Sequence, residues 1–239
     1  MCLPLAILSG GLATRLRPLT DKTPKSLIKV GGDYFIHHQL RHLRAEGITK
    51  VVLCVGYLGE QIQALVGDGT AFDLEIHYSF DGESPLGTGG AIKKAAPLLG
   101  SAFFVLYGDS YLPIAFQQVA AHFHQSPQKA LMTVFKNNNQ GDKSNVEFRD
   151  GRIIEYNKHA PKASMHYIDY GLSILSQSAL EGLPENTPFD LASLFSDLSW
   201  RGELAGFEVF ERFYEIGSFA GLNEAQKRFL GLESGNSLS

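Results

Sequence analysis

Short unbroken apolar runs alternate with stretches whose apolar residues recur every three or four positions, and this rhythm fills the first half of the chain. Leu5, Ala6, Ile7 and Leu8 make one such run, the pattern of a strand buried on both faces. Ile36, Leu40 and Leu43 share one helical face, and Gly47 supplies a stop before a second buried run at residues 50–55. Ile62, Leu65 and Val66 predict another helix, residues 75–78 a strand, and residues 91–99 a helix. Residues 103–107 form a further apolar strand halted by Gly108 and Asp109, and residues 114–124 another helix. Such alternation is what a parallel sheet with crossover helices requires.

The second half changes rhythm. Residues 130–136 and 145–149 read as strands, and Asp150-Gly151 between VEFR and RIIEY is a two-residue hairpin signal. Residues 137–143 are a polar loop, residues 167–175 a strand, and residues 204–209 another. Asp190 is placed to cap a helix running through Leu198, with Gly202 at its end. The fold class predicted is α/β: a doubly wound, Rossmann-like, mixed and mainly parallel sheet with a hairpin in its second half. No hexapeptide repeat follows, so no β-helix extension is expected.

Composition narrows this further. With 239 residues and no linker-like segment, one domain over 1–239 is expected, residues 233–239 forming a flexible tail. Hydrophobic residues at 44%, with 16 Phe and 9 Tyr, allow a sizeable core. A formal charge of −4 gives no general attraction to nucleic acid or anionic membranes. No apolar stretch reaches the roughly 18 residues of a membrane span, and the chain enters a strand directly, so a cytoplasmic protein is expected. Cys2 and Cys54 are read as free and structural, Cys54 lying inside an apolar strand. His37, His38 and His42 sit on one predicted helix and His122 and His124 on another, without ligand partners at zinc spacing.

The chemistry concentrates in residues 8–27, LSGGLATRLRPLTDKTPKSL. Gly10-Gly11 ends the first apolar run in a turn whose backbone N–H groups a ligand can approach without Cβ interference. Arg15 and Arg17 follow with forks of donors that match phosphate oxygens, and Lys25 adds a compact charge. Neither the Gly-Lys-Ser/Thr of a P-loop nor the G-x-G-x-x-G of a dinucleotide site is present, which argues against a plain NAD-binding domain. Asp109 follows a buried strand where open α/β sheets place their ligands, and a hard carboxylate there suits Mg²⁺.

Residues 8–27 closely resemble the signature GGxGTRLxPLTxxxPKxL of the sugar-1-phosphate nucleotidylyltransferases, also called nucleotide-sugar pyrophosphorylases. Later segments resemble the family in the same order: SPLGTGGAIKKA at 84–95, FVLYGDS at 104–110, IIEYNK ending at Lys158, YIDYGLSIL at 167–175 and RFYEIGS at 212–218. The chain looks most like the short branch that includes heptose-1-phosphate guanylyltransferases and N-acetylmuramate-1-phosphate uridylyltransferases. The resemblance implies a nucleotide-binding half over about 1–125 and an acceptor-binding half over about 126–230.

What it implies for the site is specific. Ser9, Gly10 and Gly11 should contact the nucleotide, Arg15 the leaving pyrophosphate part and Lys25 the α-phosphate, with Gly87 and Thr88 near the base or ribose. Asp81 and Glu83 precede that second glycine loop, and a carboxylate there matches the N–H groups of guanine or the amine of cytosine better than uracil or thymine, a slight tilt toward GTP. Lys158 should hold the acceptor phosphate, and Asp169 and Gly171 lie on the sugar-contacting strand. Asp169 either accepts from sugar hydroxyls or is a satisfied strand-end carboxylate. The metal would rest on Asp109 and on Glu215, where relatives commonly have Asp.

Other departures are Asn157, in place of the usual Glu, and Ala13, in place of Gly. At Ala13 a need for a small side chain, rather than for positive φ, is the expectation. Lys93 and Lys94 are read as a solvated helix face. The reading is a Mg²⁺-dependent enzyme whose partners are an NTP and a sugar 1-phosphate, with no nucleic acid and no membrane, and with homo-oligomerisation left open. Two alternatives stand beside it: cytidylyl transfer to a non-sugar phosphomonoester or phosphonate, for which Tyr156, Tyr167 and Tyr170 would form a cage, and a catalytically silent nucleotide-sugar-binding subunit.

Overall fold

The computed structural model describes residues 3–11, 13–137 and 143–232. Cys2, most of the polar loop after Asn137 and the tail at 233–239 lie outside the described residues. The elements run β1 (Leu5–Ser9), β2 (Lys29–Val30), β3 (Asp33–Tyr34), α1 (Phe35–Ala45), β4 (Lys50–Val55), α2 (Gly59–Val66), β5 (Glu75–Phe80) and α3 (Gly87–Ala95). They continue β6 (Ala102–Tyr107), β7 (Ser110–Tyr111), α4 (Phe116–Gln125), β8 (Ala130–Lys136), β9 (Val146–Arg149) and β10 (Arg152–Tyr156). The last are β11 (Tyr167–Ser176), α5 (Leu191–Trp200), β12 (Leu204–Val209), β13 (Tyr214–Glu215) and α6 (Phe219–Phe229).

A nine-stranded sheet in the order β5-β4-β1-β6-β11-β8-β12-β10-β9 draws on both halves of the chain. β5, β4, β1 and β6 pair in parallel, β11 runs antiparallel to β6 and β8, and β12 is again parallel to β8. The strands read as continuous apolar runs because both faces are covered. Leu5, Ile7, Val51, Leu53 and Val55 join one core with Ile36, Leu40, Ile62 and Phe116. The alternate residues Ala6, Val52, Cys54 and Val105 join a second core with Ile92, Leu191, Phe195 and Leu198. The period-two alternation of a strand therefore feeds two helical layers.

Local signals place several boundaries. Asp150 and Gly151 both have positive φ (51° and 75°), the backbone of a type I′ turn, and β9 pairs antiparallel with β10 from Arg149 opposite Arg152. The Asp190 side chain accepts from Ala192 N–H at the start of α5. Helix α3 starts at Gly87, four residues before the apolar pattern predicts it, and residues Ala96–Leu98 close it as a 3-10 turn. The expectation at Ala13 is overturned. Ala13 sits in the left-handed region at φ 47°, ψ 40°, so the position demands positive φ after all.

Two features of the fold matter most for the site. β1 and β6 are adjacent parallel strands whose carboxyl ends deliver Gly10-Gly11 and Gly108-Asp109 side by side, and β4 and β6 flank β1 on either side. That is the switch point at which open α/β sheets bind ligands. The two-residue ladder β7·β13 then sets Glu215 opposite Ser110, and Ile216 N–H donates to Asp109 O at 2.9 Å. No helix among the described residues is long and apolar enough to cross a membrane.

Candidate active site

The signature loop is a framed segment. Leu16, fully buried, anchors the 3-10 turn Thr14–Leu16 that carries Arg15, and Thr20 Oγ1 donates to Ala13 O at 2.8 Å. From α2 and the turn before it, Tyr57 OH donates to Asp21 O at 3.0 Å and Gln61 Nε2 to Lys22 O at 3.2 Å. Arg17 pairs with Asp21 at 3.3 Å on the surface and lines neither of the cavities described below, unlike Arg15. Lys25 opens the next 3-10 turn and donates from Nζ to Asp109 Oδ2 at 2.7 Å.

The two loop glycines differ in kind. A Cβ at Gly10 would stand 3.2 Å from Gly56 N and 3.3 Å from Asp81 Oδ2, whereas Gly11 faces open space. Gly10 is thus set by the approach of a neighbouring loop, and Gly11 leaves room for a ligand.

A first cavity of about 280 Å³ opens at this point, lined by Ser9, Gly10, Gly11, Lys25, Ser26, Asp81, Gly87, Thr88, Tyr107 and Asp109. A second, of about 290 Å³, is lined by Arg15, Tyr107, Asp109, Asn145, Tyr156, Lys158, Asp169, Tyr170, Gly171, Glu215 and Ser218. Tyr107 and Asp109 belong to both, so they form the shared wall. Of the residues expected to contact the nucleotide, the acceptor or the metal, only Glu83 lines neither of the two; it faces a separate hollow with Gly56, Glu60 and Gly82. Tyr167 also stays outside, its ring edge-on to Phe148, so three tyrosines do not close around the second cavity.

The carboxylates carry distinct environments. Burial pushes Asp169 up to about 6, against the Gly171 N–H that donates to its Oδ1 at 3.0 Å and the charge of Lys158. Gly171 has φ 104° and lies where the β11·β8 register shifts, which turns the Asp169 side chain back onto its own backbone. Burial also raises Asp81, opposed by Leu86 N–H and by Lys94. Asp190 goes the other way: burial would raise it, but bonds from Ala192 N–H and Thr88 and the charge of Lys158 hold it below the ordinary value.

Asp109, Glu215 and Arg15 converge. A Cβ built on Gly217 would lie 2.5 Å from Glu215 Oε2, 3.1 Å from Asp109 Oδ2 and 3.2 Å from Arg15 Nη2, so glycine leaves that point open between three charged groups. Glu215 is held there by Gly217 N–H and by Ser218 Oγ at 2.6 Å, Ser218 being the N-cap of α6. Two carboxylates meeting at one point suit Mg²⁺, which takes one or two carboxylates and completes its shell with substrate oxygens and water. No group of three or more metal-ligating side chains occurs among the described residues, so a metal here would share its shell with a ligand.

Several contacts escape sequence reasoning. The glycines of GTGG face Phe189 and Thr187: a Cβ at Gly89 would fall 2.1 Å from the Phe189 ring, and one at Gly90 2.6 Å from Thr187 O. The Thr88 hydroxyl is likewise engaged, donating to Asp190 Oδ1 at 2.8 Å and accepting from Leu191 N–H at 2.8 Å. Lys93 and Lys94 are not merely solvated; their Nζ atoms donate to Leu180 O and Asp81 O, each at 3.2 Å. Asn157 accepts from His159 N–H and Ala160 N–H and so shapes the turn beside Lys158. Ser26, 3% exposed, has a hydroxyl without a hydrogen-bond partner among the described residues and lines the first cavity with Ser9. Its only signal in the sequence is its place after Lys25.

Away from the site, the remaining expectations resolve simply. Cys54 is buried, and burial pushes its thiol up to about 12, which leaves it unreactive. His37 does have a carboxylate partner, Asp33 at 2.9 Å, while His38 and His42 bond to Val30 O and Leu112 O.

Known proteins resemble this chain in sequence and in fold. A family model described as nucleotidyl transferase matches residues 5–180. The chain is 42% identical over 111 residues to an N-acetylmuramate alpha-1-phosphate uridylyltransferase of Neisseria meningitidis serogroup B, covering 46% of this chain and 48% of that protein. It is 30% identical over 218 residues to a mannose-1-phosphate guanyltransferase of Aspergillus fumigatus, covering 88% of this chain and 60% of that protein. The chain therefore spans about half to three fifths of the length of these relatives. In structure it superposes on a putative glucose-1-phosphate thymidylyltransferase from Bacillus anthracis with a TM-score of 0.84 at 19% identity, covering 98% of this chain and 97% of that one. Because the family match runs unbroken from β1 through both glycine turns to the end of β11, and is not confined to one motif, the chain belongs to the nucleotidyl transferase family.

Proposed function

We propose that this protein transfers a nucleotidyl group from an NTP to a sugar 1-phosphate, giving an NDP-sugar and pyrophosphate. The observation that carries the proposal is the shared wall: Asp109 stands between two cavities, with Lys25 on one side and Arg15, Glu215 and Lys158 on the other. The first cavity takes the nucleotide and the second the acceptor, with Arg15 at their boundary beside Asp109, on the second cavity's edge. Both open on one continuous sheet, which supports reading the whole chain as a single catalytic domain.

The chemistry needs this arrangement. The acceptor phosphate has a second pKa near ~6 and is largely ionised at neutral pH, so no strong base is required to make it a nucleophile. Charge is the obstacle, because two anions must meet in line at the α-phosphorus while pyrophosphate departs. Lys25 meets the α-phosphoryl group, Arg15 the departing pyrophosphate and Lys158 the incoming phosphate. Gly10 and Gly11 offer backbone contact to the nucleotide. Asp109 and Glu215 would hold Mg²⁺, which neutralises phosphate charge when bound.

For the base, we propose GTP as the favoured donor. Asp81 reaches the donor cavity and accepts hydrogen bonds, matching the N–H groups of guanine, and the Aspergillus fumigatus relative is named a guanyltransferase.

The test is pyrophosphate release across four NTPs and a panel of sugar 1-phosphates, phosphocholine and aminoethylphosphonate, with and without Mg²⁺. Turnover confined to an NTP with a sugar 1-phosphate is the expected result. Turnover with CTP and a non-sugar acceptor, or binding of nucleotide sugars without turnover, would replace this reading.

A further inference from the structure

We infer that Asp190 is a positioning residue for the transfer, a single carboxylate that ties the Thr88 wall of the donor cavity to Lys158 in the acceptor cavity. The inference rests on the functional reading above, in which Lys158 receives the acceptor phosphate. Oδ1 accepts from Thr88 Oγ1 at 2.8 Å and from Ala192 N–H at 3.0 Å, while Oδ2 faces Lys158 Nζ at 3.7 Å. One oxygen is thus fixed by the donor side and the helix cap, and the other is presented to the acceptor side.

The backbone around Asp190 is fastened to the same loop. Phe189 N–H donates to Leu86 O at 3.1 Å, and Gly89 N–H donates to Phe189 O at 3.0 Å. The Phe189 ring fills the space that a side chain at Gly89 would need. Residues 86–89 and 189–190 therefore form one rigid strap, and Leu191 N–H closes it by donating back to Thr88 Oγ1. Placement of Oδ2 is set before any ligand enters.

An ion pair of this kind contributes little to stability, since its side chains are 52% and 41% exposed. Its effect lies in direction. Lysine has a long, flexible stem, and a fixed anion on one side of Nζ restricts where the ammonium rests. A phosphate arriving in the acceptor cavity then meets a lysine already aimed from the donor side.

The test compares wild type, Asp190→Asn, Lys158→Ala and the double variant, using the NTP and sugar 1-phosphate that turn over fastest in the screen above. Asparagine keeps an oxygen for Ala192 N–H and Thr88 but removes the charge facing Lys158. We expect the KM for sugar 1-phosphate to rise about 10-fold or more, with the KM for NTP and the Tm close to wild type. In the Lys158→Ala background the same change should add nothing further. Should Asp190→Asn fold poorly, Asp190→Ser keeps a helix cap and is expected to show the same rise in acceptor KM. An unchanged acceptor KM, an equal rise in both KM values, or full additivity with Lys158→Ala would overturn the inference. Wild-type silence across the whole screen would instead overturn the functional reading, and this inference with it.

Discussion

Lys25 Nζ and Asp109 Oδ2 lie 2.7 Å apart, 84 residues from one another in the chain, each only about a fifth to a quarter exposed. The pair joins the signature loop to the end of β6 and places a cation and a carboxylate together in the wall of the first cavity. Lys25→Ala and Asp109→Ala should each lower turnover by about 10²-fold or more, as loss of a preorganised charge at a reacting centre does. Both should still unfold cooperatively, because neither side chain belongs to the cores. Pyrophosphate release and thermal unfolding on the same preparations check this; near-normal activity in either variant would remove that residue from the mechanism.

Glu215 is placed to test the metal site separately. Glu215→Gln should raise the Mg²⁺ concentration needed for half-maximal rate by roughly 10-fold, in the range that changes to a metal's surroundings produce, and chelation should stop the wild-type reaction. A magnesium titration of initial rates is the measurement. An unaltered Mg²⁺ dependence in the variant would leave Asp109 as the sole protein ligand.

Much of this site is legible in the sequence because the strands that deliver it are buried on both faces and so appear as apolar runs ending in glycine. Leu5 to Leu8 before Gly10, and residues 103–107 before Gly108, are read in place for that reason, each strand being one residue longer than its apolar run. The ladder that brings Glu215 beside Asp109 is different: β7 and β13 are two residues each, too short to carry a period, and their pairing is entirely non-local. Helix α6 escapes as well, since FAGLNEAQKRF buries little beyond Gly221 and Ala225. The role of GTGG is hidden for another reason. A glycine that admits a ligand and one that admits a phenylalanine ring look alike until the second chain segment is in place.

The left-handed backbone at Ala13 yields a stability prediction. An L-residue in that region is strained by about 1–2 kcal/mol, and glycine relieves the strain at some cost in unfolded-chain entropy, about 0.4–1 kcal/mol. Ala13→Gly should therefore stabilise the protein by roughly 0.5 kcal/mol, and Ala13→Val should destabilise it. Urea unfolding decides; a loss of stability in Ala13→Gly would contradict the assigned backbone.

Asp169 should make stability fall with rising pH. Its folded pKa is raised from 3.8 to about 6, so between those values the native state holds a proton that the unfolded chain has released. Stability is lost as pH climbs through that window, and the loss is complete above about 6. Asp169→Asn should abolish this slope and stabilise the protein at pH 7 by about 1–2 kcal/mol, the partial exposure of the group keeping the gain below a full two-unit conversion. If the acceptor sugar donates hydroxyls to Asp169, the same variant should raise the KM for sugar 1-phosphate. Unfolding curves from pH 4 to 7, with kinetics at pH 7, separate the two effects.

Gly89→Ala should cost roughly 1–3 kcal/mol, the range for overfilling a packed contact, and should raise the KM for NTP because Thr88 moves with the start of α3. Thermal melts and NTP saturation curves are the checks, and an unperturbed melt would mean that the Phe189 ring yields freely.

That contact makes positions 89 and 189 a keyhole and its key. A larger residue at the first should be tolerated only with a smaller one at the second, so that Gly89→Ala is rescued by Phe189→Leu while Phe189→Leu alone leaves a hole. In other chains of this fold, the size of the residue at the second position should then track whether the glycine loop is intact, and a glycine there would report on its packing partner before it reports on any nucleotide.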